Sequence, residues 1–372
     1  MITIGKKSDC YGCGACAMKC PVDSIRMVED EEGFPYPRVD RELCTDCGLC
    51  DSACPLNMKF SLSDPPDVYA CKNRNARIRL ESTSGGSFTP LAEHVLEKGG
   101  VVFGAMFDRE FAVVHGVAKT KEELYRFRGS KYSQSVMGTA YKEAEEYLEK
   151  GVPVLFSGTP CQIGGLRSYL QKEYDHLLAV DLICHGVPSP RVYREYVSLL
   201  KGRYREEIRK VAFRDKVRGW KMFSFSVYFQ RNLYSQSKVD DLFFRGFLAC
   251  YFLRPSCHTC AFKGRNRGSD ITIADYWGVH TRFPEYDDDL GVALVIVNTG
   301  KGKETWARVA PGMDVLTSEL EHAAGHNHSY AGPVPAHPDR AQFFSDLNGM
   351  RFEEVMEKHC GDPDLRPVDS GH

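Results

Sequence analysis

Two cysteine runs near the amino terminus constrain this chain more than any other feature. They read Cys10-x2-Cys13-x2-Cys16-x3-Cys20-Pro21 and Cys44-x2-Cys47-x2-Cys50-x3-Cys54-Pro55. Cysteines two residues apart let one tight loop offer three thiolates to a single 4Fe-4S cubane. The fourth cysteine, further on, ligates the cubane of the other run. The expectation is one cluster on Cys10, Cys13, Cys16 and Cys54 and a second on Cys44, Cys47, Cys50 and Cys20. Gly12, Gly14 and Gly48 let the backbone wrap closely around the sulfides, where a β carbon would crowd. Zinc would instead want two CxxC pairs. The implied chemistry is transfer of single electrons.

The bulk composition narrows the class further. Across 372 residues, 48 Lys and Arg face 50 Asp and Glu, and the net charge of −2 calls for neither nucleic acid nor an anionic membrane surface. The longest apolar runs, such as 292–297, are strand-sized, so no membrane insertion is expected. Residues 1–7 carry no apolar secretory stretch, so the fifteen cysteines read as metal ligands and a cytoplasmic location is expected. Gly12-x-Gly14-x-x-Ala17 mimics a dinucleotide fingerprint, but it lies inside a cysteine run and follows no strand.

The chain divides into a two-cluster ferredoxin domain over 1–58, a linker over 59–67 with Pro65 and Pro66, an α/β domain over 68–300 and a helical, peripheral extension over 301–372. In the first part, 24–28 and 34–39 read as a hairpin turning through 30–33. Beyond Val68, helical stripes such as Phe88, Leu91, Ala92, Val95 and Leu96 alternate with apolar strands at 101–107, 152–156 and 177–184. Further strands fall at 207–213, 223–229, 270–274 and 292–297, and the alternation predicts an α/β domain with a mixed sheet.

A second cysteine set stands apart from the runs. Cys161 follows a buried strand at the first turn of a helix, Cys184 closes the next strand, and Cys257-x2-Cys260 supplies a paired bite. Neighbouring parallel strands end on one sheet edge, so these thiols could converge. Four thiolates suit a third 4Fe-4S cluster or a structural zinc. A thiolate nucleophile at Cys161 and four unrelated buried cysteines are the other readings. Cys71, Cys250 and Cys360 fit no pattern.

Two loops have the character of anion cradles. Residues 82–87, Ser-Thr-Ser-Gly-Gly-Ser, run into a helix, and residues 128–135 add Arg128 and Lys131 to a similar set. Small hydroxyl residues and glycines there present free N–H groups to a phosphate, although simple serine capping is the ordinary alternative. Clusters move one electron and most organic substrates take two; a flavin converts between them.

Six co-linear segments carry a resemblance over nearly the whole chain: 82–86, 129–135, 157–162, 181–190, 213–216 and 269–278. They resemble the coenzyme F420 hydrogenase/dehydrogenase beta-subunit family, which includes a plant 7-hydroxymethyl chlorophyll a reductase. The resemblance implies an FAD-binding α/β domain that carries a cluster on Cys161, Cys184, Cys257 and Cys260. It implies flavin against Ser84, Gly85, Gly86 and Ser87, against Ser130, Lys131, Tyr132, Gln134 and Ser135, and beside Thr159. Candidates for the reacting face are His185, Lys216 and Trp220, with Arg214 and Lys221; Trp220 between cations could anchor a planar anion. The leading expectation is an oxidoreductase that joins ferredoxin-type clusters, FAD and a small two-electron substrate, coenzyme F420 among the candidates. The alternative is an electron-transfer subunit that wires a partner redox protein to a ferredoxin pool. His322, His326 and His328 are read as ordinary tail residues.

Overall fold

The computed structural model describes residues 1–60, 65–362 and 365. The first element pair is an antiparallel hairpin, β1 (Ile25–Glu29) on β2 (Pro35–Val39), in the register Ile25↔Val39. Asp30 closes its turn, because Oδ1 accepts from Glu32 N at 3.1 Å and Phe34 N at 2.9 Å. The internal repeat shows in two short helices, Ala15–Met18 and Leu49–Ser52. Each is entered through a left-handed glycine, Gly14 or Gly48, both at φ +76°.

The central sheet has eight strands: β3 (Asp67–Asn73), β4 (Val101–Phe107), β5 (Val113–Ala118), β6 (Val154–Gly158), β7 (Leu177–Leu182), then, after strands of another sheet, three more. That other sheet is β8 (Ile208–Asp215), β9 (Ser224–Phe229) and β10 (Leu233–Ser237), in the order β10-β9-β8. The central sheet is completed by β11 (Ile271–Asp275), β12 (Ala293–Val297) and β13 (Met313–Ser318), giving the order β13-β3-β12-β11-β7-β6-β4-β5. Its middle, β4-β6-β7-β11, is parallel, and the flanking pairs are antiparallel. Strands such as Ala293–Val297 are apolar throughout because helices and loops cover both faces. The sheet is therefore mixed, as the alternation predicts.

The segment 301–372 departs from the expected helical, peripheral extension. Strand β13 forms the sheet edge, with Val315 opposite Cys71, and the helices Arg340–Gly349 and Phe352–Cys360 bury Phe343, Phe344, Val355 and Met356. The strand escapes sequence reading because its Met-Asp-Val-Leu-Thr-Ser run is short and half polar, and pairing with β3 decides it. The predicted linker falls partly on 61–64, outside the described residues.

The amino-terminal module is packed into the α/β body. Phe34 is fully buried in the aromatic core with Tyr193, Phe213, Phe225 and Phe243. Arg340 forks onto the Glu32 carboxylate at 2.9 and 2.5 Å, and Arg254 donates to Cys10 O at 2.7 Å and Pro35 O at 3.0 Å. The Tyr11 hydroxyl accepts from Ala261 N at 2.9 Å.

Candidate redox centres and the adjoining cavity

Cys10, Cys13, Cys16 and Cys54 line one small, mostly apolar cavity of 30 Å³ with Ile2, Met27 and Leu56. This is the grouping the crossed-ligand scheme predicts for the first cluster. Burial pushes the Cys13 thiol up to about 12, and Cys10 and Cys54 add to the rise. Backbone amides point at sulfur: Gly12 N donates to Cys10 Sγ at 3.4 Å, Ser24 N to Cys20 Sγ at 3.3 Å and Ile2 N to Cys50 Sγ at 3.2 Å. Such donors suit the negative sulfurs of an iron–sulfur cluster. In the second set Cys50 is buried and Cys47 is exposed, so this centre sits nearer the surface.

Cys161 follows β6, in the helix Pro160–Leu170, and Cys184 follows β7. Gly158 pairs with Asp181 in parallel register, so both thiols leave the same sheet edge. Cys257 and Cys260 come from the turn Pro255–Thr259 and the residue after it. The four converge: burial raises the Cys161 thiol well above its usual value, and Cys260, Cys184 and Cys257 reinforce the rise. Val187 N donates to Cys257 Sγ at 3.4 Å. A zinc ion would draw its sulfurs to about 2.3 Å from one centre. Among the described residues no three His, Cys, Asp or Glu side chains are gathered tightly enough to hold a single metal ion, and this holds for the amino-terminal cysteines too. An all-thiol set without imidazole or carboxylate is a donor set that a 4Fe-4S cluster or a structural zinc can use.

Beside Cys184 opens a cavity of 330 Å³, within the usual range of roughly 300–1,000 Å³ for small-molecule sites. Both predicted loops line it and are laced together by Ser130 N donating to Thr83 Oγ1 at 2.7 Å, and the first is tied to the sheet by Ser84 Oγ donating to Val292 O at 2.6 Å. His115 braces the floor, donating from Nε2 to Ser157 O at 3.0 Å, with Nδ1 2.9 Å from Ser135 Oγ. Burial drops this imidazole to about 4, so it is neutral. Lys131 lies in the wall. Its Nζ donates to Arg128 O at 3.2 Å and Gly129 O at 3.1 Å, desolvation lowers it to about 7, and among the described residues it has no carboxylate partner. Lys238 also faces the cavity, lowered to about 8 by burial. Among the described residues neither amine is paired with a carboxylate, so a bound anion would raise both and be held by them.

Ser84, Gly86, Ser87, Ser130, Lys131, Tyr132, Ser135 and Thr159 line the cavity as expected, and so does His185. His185 Nε2 lies 3.4 Å from Cys250 Sγ, and its Nδ1 lies 3.4 Å from Ser329 Oγ. Four expectations are corrected. Gly85 faces the sheet, where a β carbon would stand 2.5 Å from Ala293 N; its role is close packing. Gln134 turns to the amino-terminal module and donates to Tyr11 O at 3.0 Å. Lys216 is spent inside the fold, donating to Arg79 O, Ser84 O and Leu290 O at 2.8, 2.8 and 2.7 Å. Trp220 is buried behind Trp277, stacked at 4.7 Å, and donates to Asp275 Oδ1 at 2.6 Å. Trp277 is the indole that reaches the cavity, with Arg214, which is paired to Asp275 at 3.1 Å. Lys221 pairs with Asp287 away from the cavity wall.

Sequence reading also missed Lys238, which directly follows a strand it did not find, and the stretch 326–329, which brings His326 and His328 to the cavity from the tail. His322 does not line it; its Nδ1 is 3.1 Å from Tyr276 Oη and its Nε2 3.0 Å from Thr281 Oγ1.

A ferredoxin-like module packed on a mixed α/β domain, with buried thiols between them, defines an iron–sulfur redox protein. The chain belongs to the coenzyme F420 hydrogenase/dehydrogenase beta-subunit family: the family's N-terminal description matches residues 68–142, its C-terminal description matches 152–322, and a 4Fe-4S dicluster domain matches 9–58. It is similar to the coenzyme F420-dependent sulfite reductase of Methanocaldococcus jannaschii, at 26% identity over 84% of this chain and 48% of the relative. The chain thus spans about half the length of that relative. Its amino-terminal part is similar to a ferredoxin of Alicyclobacillus acidocaldarius, at 36% identity over 18% of this chain and 87% of the ferredoxin. A solved structure of the F420-reducing NiFe hydrogenase complex from Methanosarcina barkeri contains a chain alignable over 84% of this one and 96% of its own length, at 20% identity and a TM-score of 0.46. Family and relative point to an oxidoreductase. Among the described residues no helix is long and apolar enough to cross a membrane.

Proposed function

We propose that the chain is an iron–sulfur flavoprotein oxidoreductase that takes electrons from a ferredoxin or a partner redox subunit and delivers them in pairs to a small anionic substrate. The observation that carries this reading is the cavity wall. Cys184 and His185 meet there with the hydroxyl-rich loops and with Lys131, an amine that has no carboxylate partner among the described residues. Bound FAD would convert between the single electrons of 4Fe-4S clusters and the pair a substrate needs. Ser84, Gly86, Ser87, Ser130 and Lys131 would hold its phosphates, and Trp277 with Lys238 would face a planar anion. Cys161, Cys184, Cys257 and Cys260 would hold the third cluster. His185 touches the cavity beside Cys184 and is the residue placed to give or take a proton there. The relative's name makes coenzyme F420 the first substrate to try, and a cytoplasmic setting suits the many reduced thiols.

Anaerobic purification of the chain, with assay of iron, sulfide and acid-released flavin, tests the reading. Dithionite-driven turnover with coenzyme F420 follows. A preparation with full iron but no flavin, which does not take up added FAD, would refute the flavin part. Turnover only in the presence of a second subunit would leave the alternative, an electron-transfer subunit.

A further inference from the structure

Among the described residues five arginines are buried, and four of them have a carboxylate: Arg79 pairs with Asp288, Arg167 with Asp270, Arg214 with Asp275 and Arg267 with Asp181. Arg254 is the fifth. It is fully buried, and among the described residues no carboxylate pairs with it. Its hydrogen bonds go to neutral oxygens: Cys10 O at 2.7 Å, Gln134 Oε1 at 2.9 Å and Pro35 O at 3.0 Å. The Tyr36 ring lies 4.3 Å from the guanidinium. A buried cation without a counter-charge is costly, so negative charge must come from elsewhere.

The surroundings indicate where. Gly12, between Cys10 and Cys13, has φ +63°, and a β carbon there would stand 2.7 Å from Arg254 Nη1 and 2.5 Å from Gln134 Nε2. The first cysteine loop is therefore moulded onto this guanidinium. On the other side, Arg254 leads into the turn Pro255–Thr259, and Cys257 N donates to Arg254 O at 2.9 Å. We propose that Arg254 is a shared counter-ion for two iron–sulfur clusters, one on Cys10, Cys13, Cys16 and Cys54 and one on Cys161, Cys184, Cys257 and Cys260, and that it raises the reduction potential of both. The second cluster rests on the proposed function. The Arg254 guanidinium holds the Cys10 carbonyl while the backbone carbonyl of Arg254 holds Cys257 N, so the residue is tied to both ligand sets. One-electron reduction adds one negative charge and breaks no bond, so a nearby buried cation favours the reduced form. Because one residue joins both ligand sets, its cation would favour reduced states on either side of the domain boundary.

The test is a potentiometric titration of the anaerobic full-length chain, followed by electron paramagnetic resonance, with iron counted in the same samples. Clusters are assigned with Cys16→Ser, Cys47→Ser and Cys184→Ser. In Arg254→Gln the reduction equilibria of both proposed neighbours should fall about tenfold, 59 mV for one electron, while the cluster on Cys20, Cys44, Cys47 and Cys50 stays put. Arg254→Lys should restore most of the shift. Should Arg254→Gln lose iron, Gln134→Glu supplies the second variant: a carboxylate against the guanidinium should lower the same two potentials. Unmoved potentials in an iron-replete variant, or an equal fall in all three clusters, would overturn the proposal. About eight irons in the parent chain would remove the sharing, and that outcome is read from iron content alone.

Discussion

Cys13 packs directly onto Gly165: a β carbon on Gly165 would lie 3.0 Å from Cys13 Cβ and 3.1 Å from Cys13 Sγ. Gly165 is four residues beyond Cys161 in the helix Pro160–Leu170, about 6 Å of rise and on the same face. A ligand from the ferredoxin domain thus sits one helical turn from a ligand of the proposed third cluster. Tyr141 seals the junction, donating to Gln162 O at 2.8 Å.

Gly165→Val should therefore separate the two centres. The added side chain would press on the Tyr141 hydroxyl, 2.8 Å from the new β carbon, and on Cys13, and overpacking of this kind costs roughly 1–3 kcal/mol. We expect a lower melting temperature and slower electron arrival at the third cluster. A variant matching the parent in both measurements would show that the contact is incidental.

Iron content separates the readings of Cys161, Cys184, Cys257 and Cys260. Three 4Fe-4S clusters require about twelve irons per chain; two with a zinc require about eight and one zinc. Cys161→Ser should remove about four irons and leave the ferredoxin-domain signals intact. Retention of every iron after that substitution would exclude Cys161 as a ligand.

The ferredoxin domain was legible because its ligands are consecutive in the chain, and spacing alone encodes a cubane. The convergence of Cys161 and Cys184 was legible too, since consecutive parallel strands end on one edge. Lys216 and Trp220 were misread because a motif shows which residues gather and not which way each one turns. Lys216 looks like a solvent cation in sequence, yet three carbonyls claim its ammonium. Gln134 and Arg254 lie 120 positions apart and meet where both hold the first cysteine loop, Gln134 at Tyr11 O and Arg254 at Cys10 O. The cavity contacts at His326 and Ser329 depend on the tail folding back, which no local pattern records.

Lys216→Met should loosen the cavity without touching it. Three carbonyls, one inside the loop 82–87 and one just before it, would lose their donor, and each buried acceptor left unsatisfied costs roughly 1–3 kcal/mol. The expected outcome is a clear drop in melting temperature with weaker FAD retention. If stability is unchanged and only turnover with a substrate collapses, Lys216 is a reacting-face residue after all.

Lys131 should make anion binding depend on pH. Burial lowers its amine from 10.5 to about 7. In the free protein the unfolded chain holds this proton up to a higher pH than the folded chain does, so this group's contribution to stability rises between about pH 7 and 10.5. A bound phosphate reverses the preference, because it stabilises the charged amine. FAD affinity should therefore be flat below about pH 7 and weaken as pH climbs above it. Lys216, also near 7, and Lys238, near 8, titrate in the same range, so the pH profile of the parent chain alone does not isolate Lys131. Lys131→Met does: it should bind FAD more weakly at pH 6.5 and lose most of the fall between pH 7 and 9, with flavin fluorescence titration as the readout. Equal affinity and an equal profile in parent and variant would place the phosphates elsewhere than this wall.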